Sequence, residues 1–188
     1  MFVLLVAGQV DAQVKVKLHE TKNYEQFDTF AKDALVLLER VLNSESFKDS
    51  ISNSNYYYTN DLTGEALYEF IMLAREDRDN GGSDRVVDIR LRTMTRKDDG
   101  RYWIRKCRKR TIGKEGGKKG FVVTCPQKLE DWMENDEIHR LVGHIMHEYM
   151  HHLGFKHPKA HKFQSAVYQV GYLVRDLAKD LYHGNCRI

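Results

Sequence analysis

The run His147-Glu148-Tyr149-Met150-His151-His152-Leu153-Gly154-Phe155-Lys156-His157 sets three imidazoles and one carboxylate at fixed spacing, HExxHxxGxxH. Residues four apart on a helix share a face, so His147 and His151 can each turn a ring nitrogen toward one ion. Glu148 follows the first of them, where a carboxylate can hold a water on that ion and take its proton. Gly154 can adopt the left-handed backbone that ends a helix, letting the chain swing back and bring His157 to the same ion. Three protein ligands leave a fourth position open, as catalytic zinc sites do. The spacing therefore predicts one catalytic Zn2+ held by His147, His151 and His157, with Glu148 as general base.

A blander reading stays open. Seven of the nine histidines fall between His139 and His161, so a metal buffer or an inert structural site would also cluster them. A buffer, however, does not require Glu directly after the first His, or Gly three residues after the second. Of the remaining histidines, His144 lies one turn before His147 on the same face and can meet substrate or groups around the ligands. His139 and His161 read as surface residues, His152 as turned toward solvent, and His183 as part of a polar tail.

Glu137 to Leu153 reads as the helix that carries the motif, with Ile138, Leu141, Val142, Ile145 and Tyr149 as its buried stripe. Before it, Gly120-Phe121-Val122-Val123-Thr124-Cys125 is a strand that Pro126 ends. If that strand is a sheet edge above the site, the backbones of Gly120, Phe121, Val122, Val123 and Thr124 can pair with an extended peptide. An ordinary interior strand is the alternative. From Val86 the apolar period is two, with Val87, Ile89 and Leu91 opposite Asp88, Arg90 and Arg92. Arg101 to Lys109 is a further predicted strand, joined to the one at Gly120 through a hairpin centred near Gly116-Gly117.

Farther out, Val14 to Leu18 alternates as a half-buried strand, and Tyr24 to Leu42 carries one apolar stripe of a long amphipathic helix. Ser44 to Asn55 is Ser/Asn-rich and reads as a loop, Tyr56 to Thr59 as a short strand. Thr63 caps a helix reaching about Glu76. Ser165 to Tyr182 is a final helix, with Val167, Val170, Leu173, Val174, Leu177 and Leu181 inward. Together these predict one α+β domain: a small mixed sheet with an active-site helix and packing helices.

The chain has 188 residues, enough for one well-formed core and short for two. A net charge of +3 is too small to imply a nucleic-acid partner by itself. The basic residues are uneven, however, with Arg101, Arg105, Lys106, Arg108, Lys109 and Arg110 crowded together and Lys114, Lys118 and Lys119 close behind. A solvated hairpin accounts for them, and so does an anionic surface or substrate. Residues 1–12 resemble the apolar core and cleavage end of a secretory signal, leaving 13–188 as the folded domain, although the basic start of such a signal is missing. A buried first strand is the other reading. No apolar run is long enough to span a bilayer. Cys107 and Cys125 lie on opposite arms of the predicted hairpin, so a disulfide between them is geometrically feasible, and buried free thiols are equally consistent.

The run from His147 to His157 resembles the metzincin metallopeptidases, the astacins, serralysins, matrixins and adamalysins. The resemblance implies a zincin-like fold, His147, His151 and His157 as zinc ligands and Glu148 as base. It also implies that the strand from Gly120 to Cys125 is placed like the antiparallel edge strand that binds substrate. The wider stretch from Phe121 through Leu177 looks like a group of bacterial zincin-like proteins of unassigned function. Metzincins carry a methionine in a tight turn beyond the third His, and all six methionines here lie upstream of His157. Ser165-Ala166-Val167-Tyr168 is the segment available to form that floor, and Tyr168 could offer its phenol to the metal or to an oxyanion, as a tyrosine does in some metzincins. Core packing is the other role open to it.

The expected function is hydrolysis of peptide bonds in a protein or peptide substrate by a secreted or periplasmic zinc endopeptidase, acting as a monomer without a membrane span or a stable nucleic-acid partner. Two alternatives remain. One is a cytoplasmic SprT-like protease that works near nucleic acid through the basic segment. The other is a catalytically inert, zinc-stabilised binding protein.

Overall fold

The computed structural model describes residues 13–74, 83–107, 113–115, 120–158 and 160–184. The N-terminal run over 1–12, expected as a signal segment, and Cys186 lie outside the described residues.

Four strands form one mixed sheet in the order β1-β2-β4-β3. Strands β1 (Lys15–Lys22), β2 (Val86–Thr93) and β4 (Phe121–Thr124) run parallel, and the short β3 (Gly113–Glu115) pairs antiparallel with β4 at one edge. β2 keeps the period of two: Val87, Ile89 and Leu91 are buried while Asp88, Arg90 and Arg92 are half-buried. At the opposite edge, β1 is covered by α1 (Asp28–Leu42). The Val16 N–H donates to Glu39 Oε2 at 2.8 Å and the Val14 N–H to Asn43 Oδ1 at 3.0 Å. Those side chains satisfy backbone groups that an open edge would expose.

β4 is therefore an interior strand, not the sheet edge expected from Gly120 to Cys125. Its side chains are buried on both faces. Val122 joins the main core, while Phe121 and Val123 pack with Met94 and Cys125 in a second, smaller cluster. A four-residue apolar run fits such a doubly covered strand as well as it fits an edge, which is why the sequence could not separate them. Among the described residues, the antiparallel edge strand is Gly113–Glu115.

Three further expectations are corrected. Ser44 to Asn55 is not a loop: α2 (Glu45–Ser52) begins where the Ser44 hydroxyl accepts the Phe47 N–H, and Phe47 and Ile51, four apart, are buried on one face. The strand expected over Arg101 to Lys109 is corrected as far as Cys107: α4 (Arg96–Cys107), bent at Gly100 with φ 53°, covers that part, and Arg108 and Lys109 lie outside the described residues. Its start is fixed by Thr95, whose hydroxyl accepts the Asp98 N–H, and by Asp99, whose carboxylate takes both guanidinium arms of Arg92 at 2.8 and 3.0 Å. Tyr56 to Thr59 supplies only a single bridge, Tyr57 to Ser165.

α3 (Gly64–Met72) is capped by Thr63 as expected, and α5 (Pro126–Glu134) starts with Pro126 in its first turn, where the missing N–H costs nothing. The main core lies between the sheet and three helices, α1, α6 (Ile138–His152) and α7 (Ala166–Tyr182). α6 sinks Ile138, Leu141, Val142, Ile145, Met146, Tyr149 and Met150 into it, and each fully buried aliphatic side chain of this kind contributes roughly 1.5–3 kcal/mol. α6 and α7 meet closely because of two glycines. A Cβ at Gly143 would stand 2.5 Å from the Arg175 Cβ, and one at Gly171 would stand 3.1 Å from the His147 Cβ. Among the described residues, no helix is long and apolar enough to cross a membrane.

Candidate metal centre

α6 ends at His152, and Gly154 follows with φ 89°, the left-handed turn that the spacing predicts. The chain then doubles back, so that one donor atom each from His147, His151 and His157 lies within 4.8 Å of the other two. Three imidazole nitrogens converging this closely could hold a metal ion. Among the described residues no fourth His, Cys, Asp or Glu joins the group. His151 Nδ1 lies 2.9 Å from the Phe155 carbonyl oxygen. A carbonyl can only accept, so Nδ1 carries the hydrogen and Nε2 keeps its lone pair for a ligand role.

Burial and the surrounding charges favour the neutral form of the His147 and His157 rings, the form that binds metal. Burial pulls the pKa of His147 down to about 3, with His144, His151, His157 and Lys162 adding repulsion. His157 is lowered for the same reasons, burial first, then His151 and Lys162. The chemistry of the donor set thus fits a borderline ion such as zinc.

Glu148 is buried beside the triad, with one carboxylate oxygen 3.7 Å from His144 Nδ1. At that distance the two are neighbours rather than hydrogen-bonded partners. His144 is itself buried, and burial pulls its pKa down to about 4, the Val123 backbone opposing. His144 is thus brought next to Glu148 and is not one of the three converging histidines. His161 and His183 are exposed as expected, but His152 is half-buried and His139 is buried in the first turn of α6. His139 falls on the inward face of a helix covered on several sides, which the surface reading did not allow for.

Tyr168, in the first turn of α7, reaches the site. Its ring centre is 4.4 Å from that of His147 and 5.1 Å from that of His157, edge-on to both. Burial raises its pKa, and Tyr172 and Glu148 add to the effect, so the phenol stays protonated. Ser165, Ala166 and Val167, the other residues of the expected floor, are buried. Sequence reasoning missed Lys162, in a 3-10 turn (Lys162–Gln164) just before α7, whose Nζ sits 5.8 Å from the centre of the Tyr168 ring. Its adjacency to Phe163 and Tyr168 was the only available signal.

Of the expected substrate strand, Gly120 and the β4 residues Phe121 through Thr124 are all buried, and among the described strands β3 is the edge that lies against α6. Cys107 and Cys125 form the disulfide, their Cα atoms 5.5 Å apart. It joins the end of α4 to the residue after β4 rather than two arms of one hairpin. Most of the basic segment, including Arg105, Lys106, Arg108, Lys109, Arg110, Lys118 and Lys119, has no described side chains. Compared with protein-family models, with curated proteins and with solved structures, the chain gives no match in any of the three.

Proposed function

We propose that this chain is a zinc-dependent metallopeptidase with a zincin-like arrangement. The observation that carries it is the convergence of His147, His151 and His157 within 4.8 Å, with the carboxylate of the next residue, Glu148, buried alongside. Further support comes from the mixed sheet, whose antiparallel edge strand lies against the helix bearing the motif. Zinc in that site would polarise the scissile carbonyl and acidify a water. Glu148 then takes the water proton and passes it to the leaving amine. The protonated phenol of Tyr168, whose ring lies against His147 and His157, would donate to a developing oxyanion. β3, the edge strand among the described residues, rather than β4, would offer backbone groups to an extended peptide. The Cys107–Cys125 disulfide favours an oxidising compartment, secreted or periplasmic.

The test is purified protein assayed for metal and for cleavage of unstructured protein. The expected result is about one zinc per chain, and loss of cleavage in Glu148→Gln with zinc retained. Cleavage that survives in that variant removes Glu148 from the mechanism.

A further inference from the structure

We propose that Lys162 forms a subsite for a carboxylate of the substrate, within about three residues of the bond that is cut. The inference rests on the metallopeptidase reading and names the substrate class for that site: peptides with an acidic group near the scissile bond.

Lys162 is held rather than dangling. The Ser165 N–H and hydroxyl both donate to its carbonyl, at 3.2 and 2.6 Å, and the Gln169 side-chain amide donates to the Phe163 carbonyl at 2.6 Å. The turn is thereby clamped to α7, and the ammonium is carried by a fixed platform. Its Nζ lies 4.7 Å from the centre of the Phe163 ring and 5.8 Å from that of Tyr168. Tyr168 is also in contact with His147. One aromatic ring thus separates the cation from a metal ligand, so Nζ lies within about 10 Å of the His147 ring, the span of three extended residues.

Among the described residues no carboxylate pairs with Lys162. The nearby cation Arg175 is engaged: its Nε donates to Asp176 at 2.8 Å while its guanidinium covers Tyr172. A divalent ion would make this corner more positive still. An anion arriving there meets an ammonium that no described carboxylate pairs, set beside the rings of Phe163 and Tyr168. The exposed ring of Phe163 gives the carbon chain that bears the carboxylate an apolar surface.

A carboxylate can come from an Asp or Glu side chain or from the C-terminus of a peptide. The experiment uses the zinc-loaded full chain with Glu148→Gln, so that binding is read without turnover. Fluorescent alanine-rich peptides carry a single Glu, Gln or Lys at successive positions, each as C-terminal amide and as free acid, and anisotropy gives the affinities. The expected result is roughly tenfold tighter binding of one carboxylate class over its amide counterpart. That advantage collapses on adding Lys162→Met and inverts toward Lys-bearing peptides on adding Lys162→Glu, with zinc content and circular dichroism unchanged. An advantage for Glu over Gln assigns the side chain as the source, and one for free acid over amide assigns the terminus. No advantage for either, or one that survives Lys162→Met, overturns the proposal. A wild-type chain that cleaves no peptide refutes the peptidase reading separately, since the binding measurement does not depend on turnover.

Discussion

His151 donates its Nδ1 hydrogen to the Phe155 carbonyl oxygen across 2.9 Å, so the loop after the helix dictates which nitrogen of this candidate ligand is free. Gly154, at φ 89°, aims that carbonyl and also begins the return that delivers His157. A side chain at that φ costs roughly 1–2 kcal/mol. Gly154→Ala is therefore expected to lower zinc affinity about 10- to 100-fold, the range seen when partners of metal ligands are disturbed. Competition with a chromogenic zinc chelator measures it. Unchanged affinity would show that the turn does not position the ligands.

Tyr168 supports two readings, a phenol that acts on substrate and a ring that packs on His147 and His157. Tyr168→Phe separates them, because it deletes only the hydroxyl. The expectation is a 10- to 100-fold fall in kcat with KM and zinc content near wild type. A variant with full kcat assigns the ring to packing.

Acid should weaken the metal-free fold. His144 is buried as neutral imidazole with its pKa pulled from 6.5 down to about 4. The unfolded chain takes up that proton near pH 6.5, so the contribution is whole above 6.5 and declines as pH falls toward 4. The slope is at most about 1.4 kcal/mol per pH unit for this residue. His147, lowered to about 3, acts in the same direction. Urea melts in chelator at pH 7.5 and 5 measure the loss, and His144→Gln should make the pH dependence shallower. Identical slopes in the variant would place the acid sensitivity elsewhere.

The close approach of α6 and α7 gives another expectation. An added methyl at Gly143 would press on the Arg175 Cβ at 2.5 Å and the Gly171 carbonyl at 2.8 Å, so the helices must part. At Gly171 the nearest contact is 3.1 Å, a matter of tenths of an ångström. Gly143→Ala should cost about 1–3 kcal/mol and Gly171→Ala less. For a chain of this size that is roughly 2–4 °C in Tm per kcal/mol. Equal and negligible shifts for both would mean that the helix contact yields easily.

The ligand set was legible in the sequence because its geometry is local: eleven residues, one helical repeat and one glycine turn contain it. The period of β2 and the stripes of α1 and α7 were legible for the same reason. Composition misled at 44–55, where polar Ser and Asn outweighed the spacing of Phe47 and Ile51, although Ser44 was a readable cap. Charge obscured α4, yet Thr95 followed three residues later by Asp98 marks its start. The position of β4 between β2 and β3 could not be read at all, since neighbours in a sheet are set by partners distant in sequence. Lys162 and the two helix glycines gain meaning only once α7 lies against α6.

All three converging histidines come from one short stretch, while Tyr168 arrives on a separate helix. An incompletely assembled molecule could thus capture an ion before α7 has docked, yet lack the phenol and the Lys162 platform. Metal content then reports how far the local hairpin of chain has formed. Under the proposed peptidase activity, turnover is the stricter gauge of assembly, provided that Tyr168 acts on substrate, because the phenol comes from the second helix.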